Sequence, residues 1–261
     1  MHRNLLPWIS RQPVGIIDKF LLNPIIAILQ TSSTRFSPST HRLVITIDGP
    51  AGAGKSTVAQ CVARRLGYTY LDTGALYRAV AWNVKQAAID ILDVNQMNSL
   101  MASMNVHIMV QESLMRVWVN EEDVTSQLRD PEIGTLASSV ATIPAIREWL
   151  LPIQQDFGRQ GGIVAEGRDM GTRVFPFAEA KFFLDADVAI RAKRRYQDNV
   201  LAGHGMEQAA VQEEIIARDI RDRSRTIAPL YPASDAVVID SSVLTVDEVV
   251  ATILERISAI Q

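Results

Sequence analysis

The chain of 261 residues has one cysteine, Cys61, so no disulfide can close within it, and no group of cysteine and histidine has the spacing of a zinc site. An oxidised scaffold and a structural zinc are excluded, and a reducing, cytoplasmic setting is expected. Long apolar runs are also missing. The best candidate, Val14 to Leu29, is interrupted by Asp18, Lys19, Asn23 and Pro24, well short of the roughly 20 clean residues of a membrane-spanning helix. Charge of one sign is lacking as well: 26 Lys and Arg against 29 Asp and Glu leave a net charge of −3, with no overall field for duplex DNA or an anionic bilayer. Neither nucleic acid nor membrane is expected as a partner. There is no low-complexity run and no internal repeat. What is present, 48% hydrophobic and 21% charged residues, suits a globular chain that closes its own core.

The first 42 residues stand apart. They carry Arg3, Arg11, Lys19, Arg35 and Arg42 against the single acid Asp18, whereas residues 43–261 hold 21 basic and 28 acidic residues. Gln30-Thr31-Ser32-Ser33-Thr34 after the apolar part has no small-x-small cleavage pattern, which argues against a secretory signal. An acid-poor segment with Arg and Ser is compatible with an organelle transit peptide, and an over-early start is the other alternative. Residues 1–42 are read as a poorly ordered extension and residues 43–261 as the folded domain.

Leu43 to Ile47 is a short, mostly β-branched run that ends at Asp48-Gly49-Pro50, the pattern of a buried parallel strand entering a loop. From Ser56 to Leu66, Val58, Val62 and Leu66 recur every four residues and Gly67 closes a helix. A second strand is predicted at Tyr68–Leu71, a helix at Tyr77–Ala88, and further strands at Gly161–Ala165, Ala180–Leu184 and Ala236–Ile239. Five strands alternating with helices predict an α/β fold: a parallel sheet with helices on both faces. Two segments break the alternation. Asn105–Val110 and Met115–Val119, around a turn at Glu112-Ser113, predict an inserted hairpin, and Gly203-His204-Gly205 interrupts two charged helical stretches between Tyr196 and Glu207.

Gly49-Pro50-Ala51-Gly52-Ala53-Gly54-Lys55-Ser56 fits G-x-x-x-x-G-K-[ST]. In this motif glycines let backbone N–H groups wrap phosphates, Lys55 reaches the β- and γ-phosphates, and Ser56 offers a hydroxyl to Mg²⁺. The match follows a predicted strand and opens a predicted helix, whose N-terminus favours an anion. A nucleoside triphosphate is the expected ligand. No N-K-x-D follows, which argues against a GTPase switch, and Phe182-Phe183-Leu184-Asp185 continues with Ala186 rather than the second acid of a typical ATPase motor. Arginine instead gathers outside the loop, at Arg147, Arg168, Arg191 with Arg194 and Arg195, and from Arg218 to Arg225. Clamps of this kind are what a donor and an acceptor phosphate require. In a helix Arg218, Asp222 and Arg225 would share one face, able to grip phosphate and a sugar hydroxyl. Arg168 and Asp169, flanked by Gly167 and Gly171, follow the third predicted strand, at the sheet end where ligands of open α/β folds lie.

These segments resemble the bacterial cytidylate kinases, within the P-loop nucleoside monophosphate kinases. The resemblance rests on Ile45-Thr46-Ile47-Asp48-Gly49-Pro50, Asp72-Thr73-Gly74-Ala75-Leu76-Tyr77-Arg78, Glu166-Gly167-Arg168-Asp169-Met170-Gly171-Thr172 and Arg221-Asp222-Arg223-Ser224-Arg225 before Ala228-Pro229-Leu230, and spans about residues 43–258. It implies a three-layer kinase core with a five-stranded parallel sheet, a β-containing monophosphate-binding insertion over about residues 75–150, and a short lid near 196–207. It also implies transfer of a phosphoryl group from ATP, with Mg²⁺, to CMP and dCMP. By matched position, Ser138, Arg147 and Asp169 would read cytosine, Arg78 and Arg168 would hold the acceptor phosphate beside Thr73 and Tyr77, and Arg218 and Asp222 would meet the ribose. Lys55, Arg225 and the lid-side Arg191 and Arg194 would stabilise the transferring group. Gly49 to Thr57 would cradle the donor, with the metal contact open between Ser56 and Thr57. A monomer is expected. The remaining alternatives are a P-loop kinase for another small acceptor and a nucleotide-dependent switch, which would hydrolyse slowly without an acceptor.

Overall fold

A computed structural model describes residues 42–111, 114–203 and 205–260. The expected extension over 1–42, Arg42 apart, and the expected turn at Glu112-Ser113 lie outside the described residues, as does His204. In chain order the first elements are β1 (Val44–Asp48), α1 (Lys55–Leu66), β2 (Thr69–Asp72), α2 (Thr73–Gln86) and α3 (Val94–Ser103). Then come β3 (Val106–Gln111), β4 (Leu114–Val119), β5 (Glu122–Asp123), α4 (Pro131–Val140) and α5 (Pro144–Gly158). The last are β6 (Ile163–Gly167), β7 (Ala180–Asp185), α6 (Val188–Leu201), α7 (Gln208–Ser224), β8 (Val237–Asp240) and α8 (Val246–Ser258).

The five predicted parallel strands are all present and form one sheet in the order β2-β6-β1-β7-β8. Strand periodicity splits its side chains between two cores. Ile163 and Ala165 pack with Leu71 and with α2, α4 and α5, while Val164 joins Ile45, Ile47 and Phe182 against α1 and α8. Both faces are therefore covered by helix, as parallel strands that are apolar throughout require. Each fully buried Val, Leu, Ile or Phe contributes on the order of 1.5–3 kcal/mol, which holds β1 rigidly between its neighbours. The loop leaving β1 is thus carried by the central strand of the sheet.

Three local differences from the sequence reading have simple causes. Helix α2 begins at Thr73, four residues before the predicted start, because the Asp72 carboxylate caps the Ala75 N–H at 3.1 Å. Asp72-Thr73-Gly74 reads as a turn but is an N-cap and first turn. The hairpin of β3 and β4 gains a third short strand, β5, across a reversal in which Asn120 and Glu121 adopt left-handed backbone angles. Val106, Ile108, Val117 and Val119 join the core that also contains α2 and α5, so the insertion is packed as part of the main body. Finally, α6 continues to Leu201, which narrows the break between the charged helices to residues 202–207.

Candidate functional site

The loop from Gly49 to Gly54 is wedged between the end of β7 and the start of α6. A Cβ on Gly49 would stand 1.9 Å from the Leu184 carbonyl oxygen, and one on Gly52, whose φ is +76°, 2.8 Å from that of Arg191. Only glycine fits those two close approaches. The loop carbonyls are tied outward: Pro50 O accepts from Lys55 Nζ at 2.7 Å, Ala51 O from Arg191 Nη1 at 3.1 Å, and Ala53 O from Ser241 Oγ at 3.1 Å. Gly54 is the N-cap of α1, so the first amides of that helix open into the loop, a ready site for an anion. Ser56 and Thr57 lie exposed in its first turn. Lys55 is buried, and that burial, with the nearby Arg168 and Arg218 guanidiniums, brings its ammonium down to about 7. A lysine so destabilised gains from any anion placed beside it.

Within electrostatic reach of Lys55 lies a basket of arginines held on carboxylates. Arg168 Nε donates to Asp222 Oδ2 at 2.9 Å, Arg225 lies 3.8 Å from Asp222 Oδ1, and Asp222 is 4% exposed. Burial pushes the Asp222 carboxyl up, but Arg168, Arg218 and Arg225 together pull it below its ordinary value. Arg218 is lowered to about 10 by burial and by repulsion from Arg168 and Arg78. Arg78 pairs with Asp72 at 2.5 Å. Arg218 Nε and Arg225 Nη2 are buried without a hydrogen-bond partner among the described residues. Cations outnumber the carboxylates that face them, so the basket is built for an added anion. Helix α7 ends at Ser224, with Arg225 turning out of the helix as its C-cap, yet Arg225 stays on Asp222 through Nε to the backbone carbonyl at 3.3 Å.

Beside the basket, Arg147 from α5 forms a buried ion pair with Asp169, donates from Nη1 to Ala141 O at 3.1 Å, and stacks 5.4 Å over the Tyr77 ring. Arg147 Nε has no hydrogen-bond partner among the described residues. Burial pushes the Tyr77 phenol up to about 12, so it stays neutral. Ser138, 3% exposed on α4, accepts from Arg221 Nε at 3.2 Å. Thr73 donates to the Glu166 carbonyl at 2.7 Å, which fastens the start of α2 to β6.

The structure thus links Lys55, Arg78, Arg147, Arg168, Asp169, Arg218, Asp222 and Arg225 in one network of neighbouring charges. Arg191 lies on the loop instead, ion-paired with Asp219 at 2.8 Å. Arg194 is occupied by Ser241, through Nη1 to Oγ at 3.1 Å and Nη2 to the carbonyl at 2.6 Å, and so does not join the basket. Sequence reasoning missed four residues here: Asp48, Asp219, Arg221 and the buried Glu166, which accepts from the Tyr70 hydroxyl at 2.7 Å. Asp48 is the last residue of β1 and Glu166 the last but one of β6, each directly before a motif glycine, a signal that spacing could have offered. The Arg221 to Ser138 bond joins residues 83 apart and carries no local signal.

Comparison with known proteins agrees with this geometry. Residues 45–259 match the family Cytidylate kinase. The chain is 44% identical to the cytidylate kinase of Vibrio cholerae over 85% of this chain and 98% of that protein. It is 45% identical to that of Dichelobacter nodosus over 84% and 96%, and 42% identical to that of Pasteurella multocida over the same shares. With a glycine loop at the end of β1, an arginine basket facing it and matched sequence along nearly all of the described fold, this chain belongs to the cytidylate kinase family.

Proposed function

We propose that the protein transfers the γ-phosphoryl group of ATP to the phosphate of CMP and dCMP, giving CDP and dCDP. The observation that carries this reading is the phosphate-loop lysine in electrostatic contact with Arg168 and Arg218 of the basket, with the buried Arg147–Asp169 pair in the same charge network. Cytosine offers an N4 amine beside the N3 and O2 acceptors. One carboxylate oxygen of Asp169 is engaged by Arg147, leaving the other for the amine, while Arg147 Nε and the Ser138 hydroxyl are donors for N3 and O2. Uracil would set a carbonyl against that carboxylate, and an unpaired buried group of this kind makes for strong selection. Arg78 and Arg168 take the acceptor phosphate, with Thr73 and Tyr77 shaping its wall, and Arg218 and Asp222 take the sugar hydroxyls.

An oxygen of the acceptor phosphate attacks the γ-phosphorus in line, and the bond to the β-γ bridging oxygen breaks, releasing ADP. The nucleophile is already anionic, so no general base is required. Catalysis rests on holding the two phosphates together and offsetting their charge with Lys55 and Arg225, and with Arg191 beside the loop; Arg194, held on Ser241, is left out of this set. The hydroxyls of Ser56 and Thr57, exposed in the first turn of α1, are hard oxygens of the kind Mg²⁺ takes, and one of them would hold it. Bound there, the ion would neutralise charge on the β- and γ-phosphates. The stretch near 196–207 serves as the lid in this reading, closing over the bound nucleotides and excluding water. On the same reading, residues 43–261 are the kinase unit, acting as a monomer in the cytoplasm without nucleic-acid or membrane partners. No helix among the described residues is long and apolar enough to cross a bilayer.

The test is ADP release from ATP with CMP, dCMP, UMP, AMP, GMP and shikimate as acceptors. Cytosine nucleotides should be fastest, and Lys55→Ala should abolish transfer while remaining folded. Highest activity on another acceptor, or near-normal turnover in Lys55→Ala, would overturn the assignment.

A further inference from the structure

Asp48 precedes the phosphate loop by one residue, yet its carboxylate serves the turn that follows the neighbouring strand β6. Oδ1 accepts the Met170 N–H and Oδ2 the Gly171 N–H, each at 2.8 Å, and Asp48 is 4% exposed. Those two amides open the π-helical turn Met170–Val174. The first amides of a helical turn are ordinarily taken by the side chain at the N-cap, which here is Asp169. Asp169 makes no such bond; its carboxylate is committed to Arg147. Strand pairing sets Asp48 opposite Gly167. Arg168 and Asp169 are therefore strapped at both ends, by the sheet at Gly167 and by the Asp48 carboxylate at Met170 and Gly171. The strap is tightly seated: a Cβ on Gly171 would lie 3.1 Å from Thr46 Oγ1 and 3.4 Å from Asp48 Oδ2.

We propose that Asp48 is a positioning residue for the acceptor base: by capping the turn in place of Asp169 it frees that carboxylate to read cytosine, and so tunes acceptor preference from the donor end of the site. The proposal rests on the reading of Asp169 as the base contact. A carboxylate has an acceptor for each amide, whereas an asparagine has one and turns its own NH₂ against the other. Removing one bond frees the turn to rotate and lets Asp169 fall back onto its own amides as an ordinary cap.

The test is steady-state kinetics of the full chain and of Asp48→Asn with CMP and with UMP, ATP being varied in each series. We expect kcat/KM for CMP to fall about tenfold, the equivalent of one lost hydrogen bond, with a much smaller change for UMP and for the KM of ATP. Gly171→Ala, which keeps the charge and presses on the strap from its other side, should lower the CMP-to-UMP ratio in the same direction and by less. It carries the comparison if Asp48→Asn does not fold. An equal loss for both acceptors in both variants, or a change confined to the KM of ATP, would overturn the proposal. A wild-type enzyme with no preference for cytosine would overturn the base-site reading and this proposal together, whereas a wild-type preference retained in the variants overturns this proposal alone.

Discussion

Asp222 is the keystone of the basket, and its removal gives the sharpest test of the charge balance. The carboxylate is buried between Arg168 at 2.9 Å and Arg225 at 3.8 Å, with Arg218 close enough to lower its pKa further. Asp222→Ala leaves three guanidiniums facing one another. Breaking a buried pair from one side costs about 3–5 kcal/mol, and at roughly 2–4 °C per kcal/mol for a domain of this size the melting temperature should fall by about 6–20 °C. Asp222→Asn keeps an acceptor for Arg168 and should lose less. The excess positive charge gives the experiment a second arm: inorganic phosphate should restore more of the melting temperature to the variant than it adds to the wild type. The sign with pH follows from the depressed carboxyl. Its stabilisation is complete above the unfolded value, near about 4, and is lost as pH falls through the lower folded value. The gap between wild type and variant, followed by circular dichroism, should hold from neutrality downward and close only in acid. A variant that melts with the wild type, or phosphate that raises both alike, would refute the assignment of Asp222 as counter-ion to the basket.

Two further outcomes are expected. Lys55 sits at about 7 because of its burial and its cationic neighbours; a bound triphosphate favours the charged form, so ATP binding above that pH should take up a proton and weaken as pH rises. Calorimetry in two buffers of different ionisation enthalpy measures this uptake, which should vanish in Lys55→Arg; its absence from the wild type would contradict the placement of the lysine beside the phosphates. Asp169→Asn should lower kcat/KM for CMP by about 10- to 150-fold, the value of a charged hydrogen bond, and favour UMP, because the new amide can donate to the uracil carbonyl. An unchanged ratio in the acceptor panel would count against Asp169 as the base reader.

Much of this protein could be read along the chain. The β-branched runs at β1, β6 and β7, the glycine loop and the helix spacing behind it predict a parallel sheet with a phosphate site at its centre, since each is a local pattern with a local cause. Strand ends shift by only one or two residues, and α2 starts early because Asp72 is a cap that looks like a turn. The resemblance added the expectation that Arg78 and Arg168 would hold the acceptor phosphate, and the spacing of Arg218, Asp222 and Arg225 predicted a shared face.

Other features depend on parts far apart in sequence meeting in space. Arg147 finds Asp169 across 22 residues, Arg168 finds Asp222 across 54, and Asp48 reaches amides 122 and 123 residues away. Hydrophobic periodicity reports the face of an element but says nothing about which charged group waits on the other side of a cleft. Arg194 shows the same limit in reverse, since its spacing beside Arg191 suggests a shared role and the fold gives it to Ser241 instead. Backbone patterns are written by neighbours along the chain, whereas the pairing of buried charges is settled by the packing that removes water around them and leaves each one only the partner within reach.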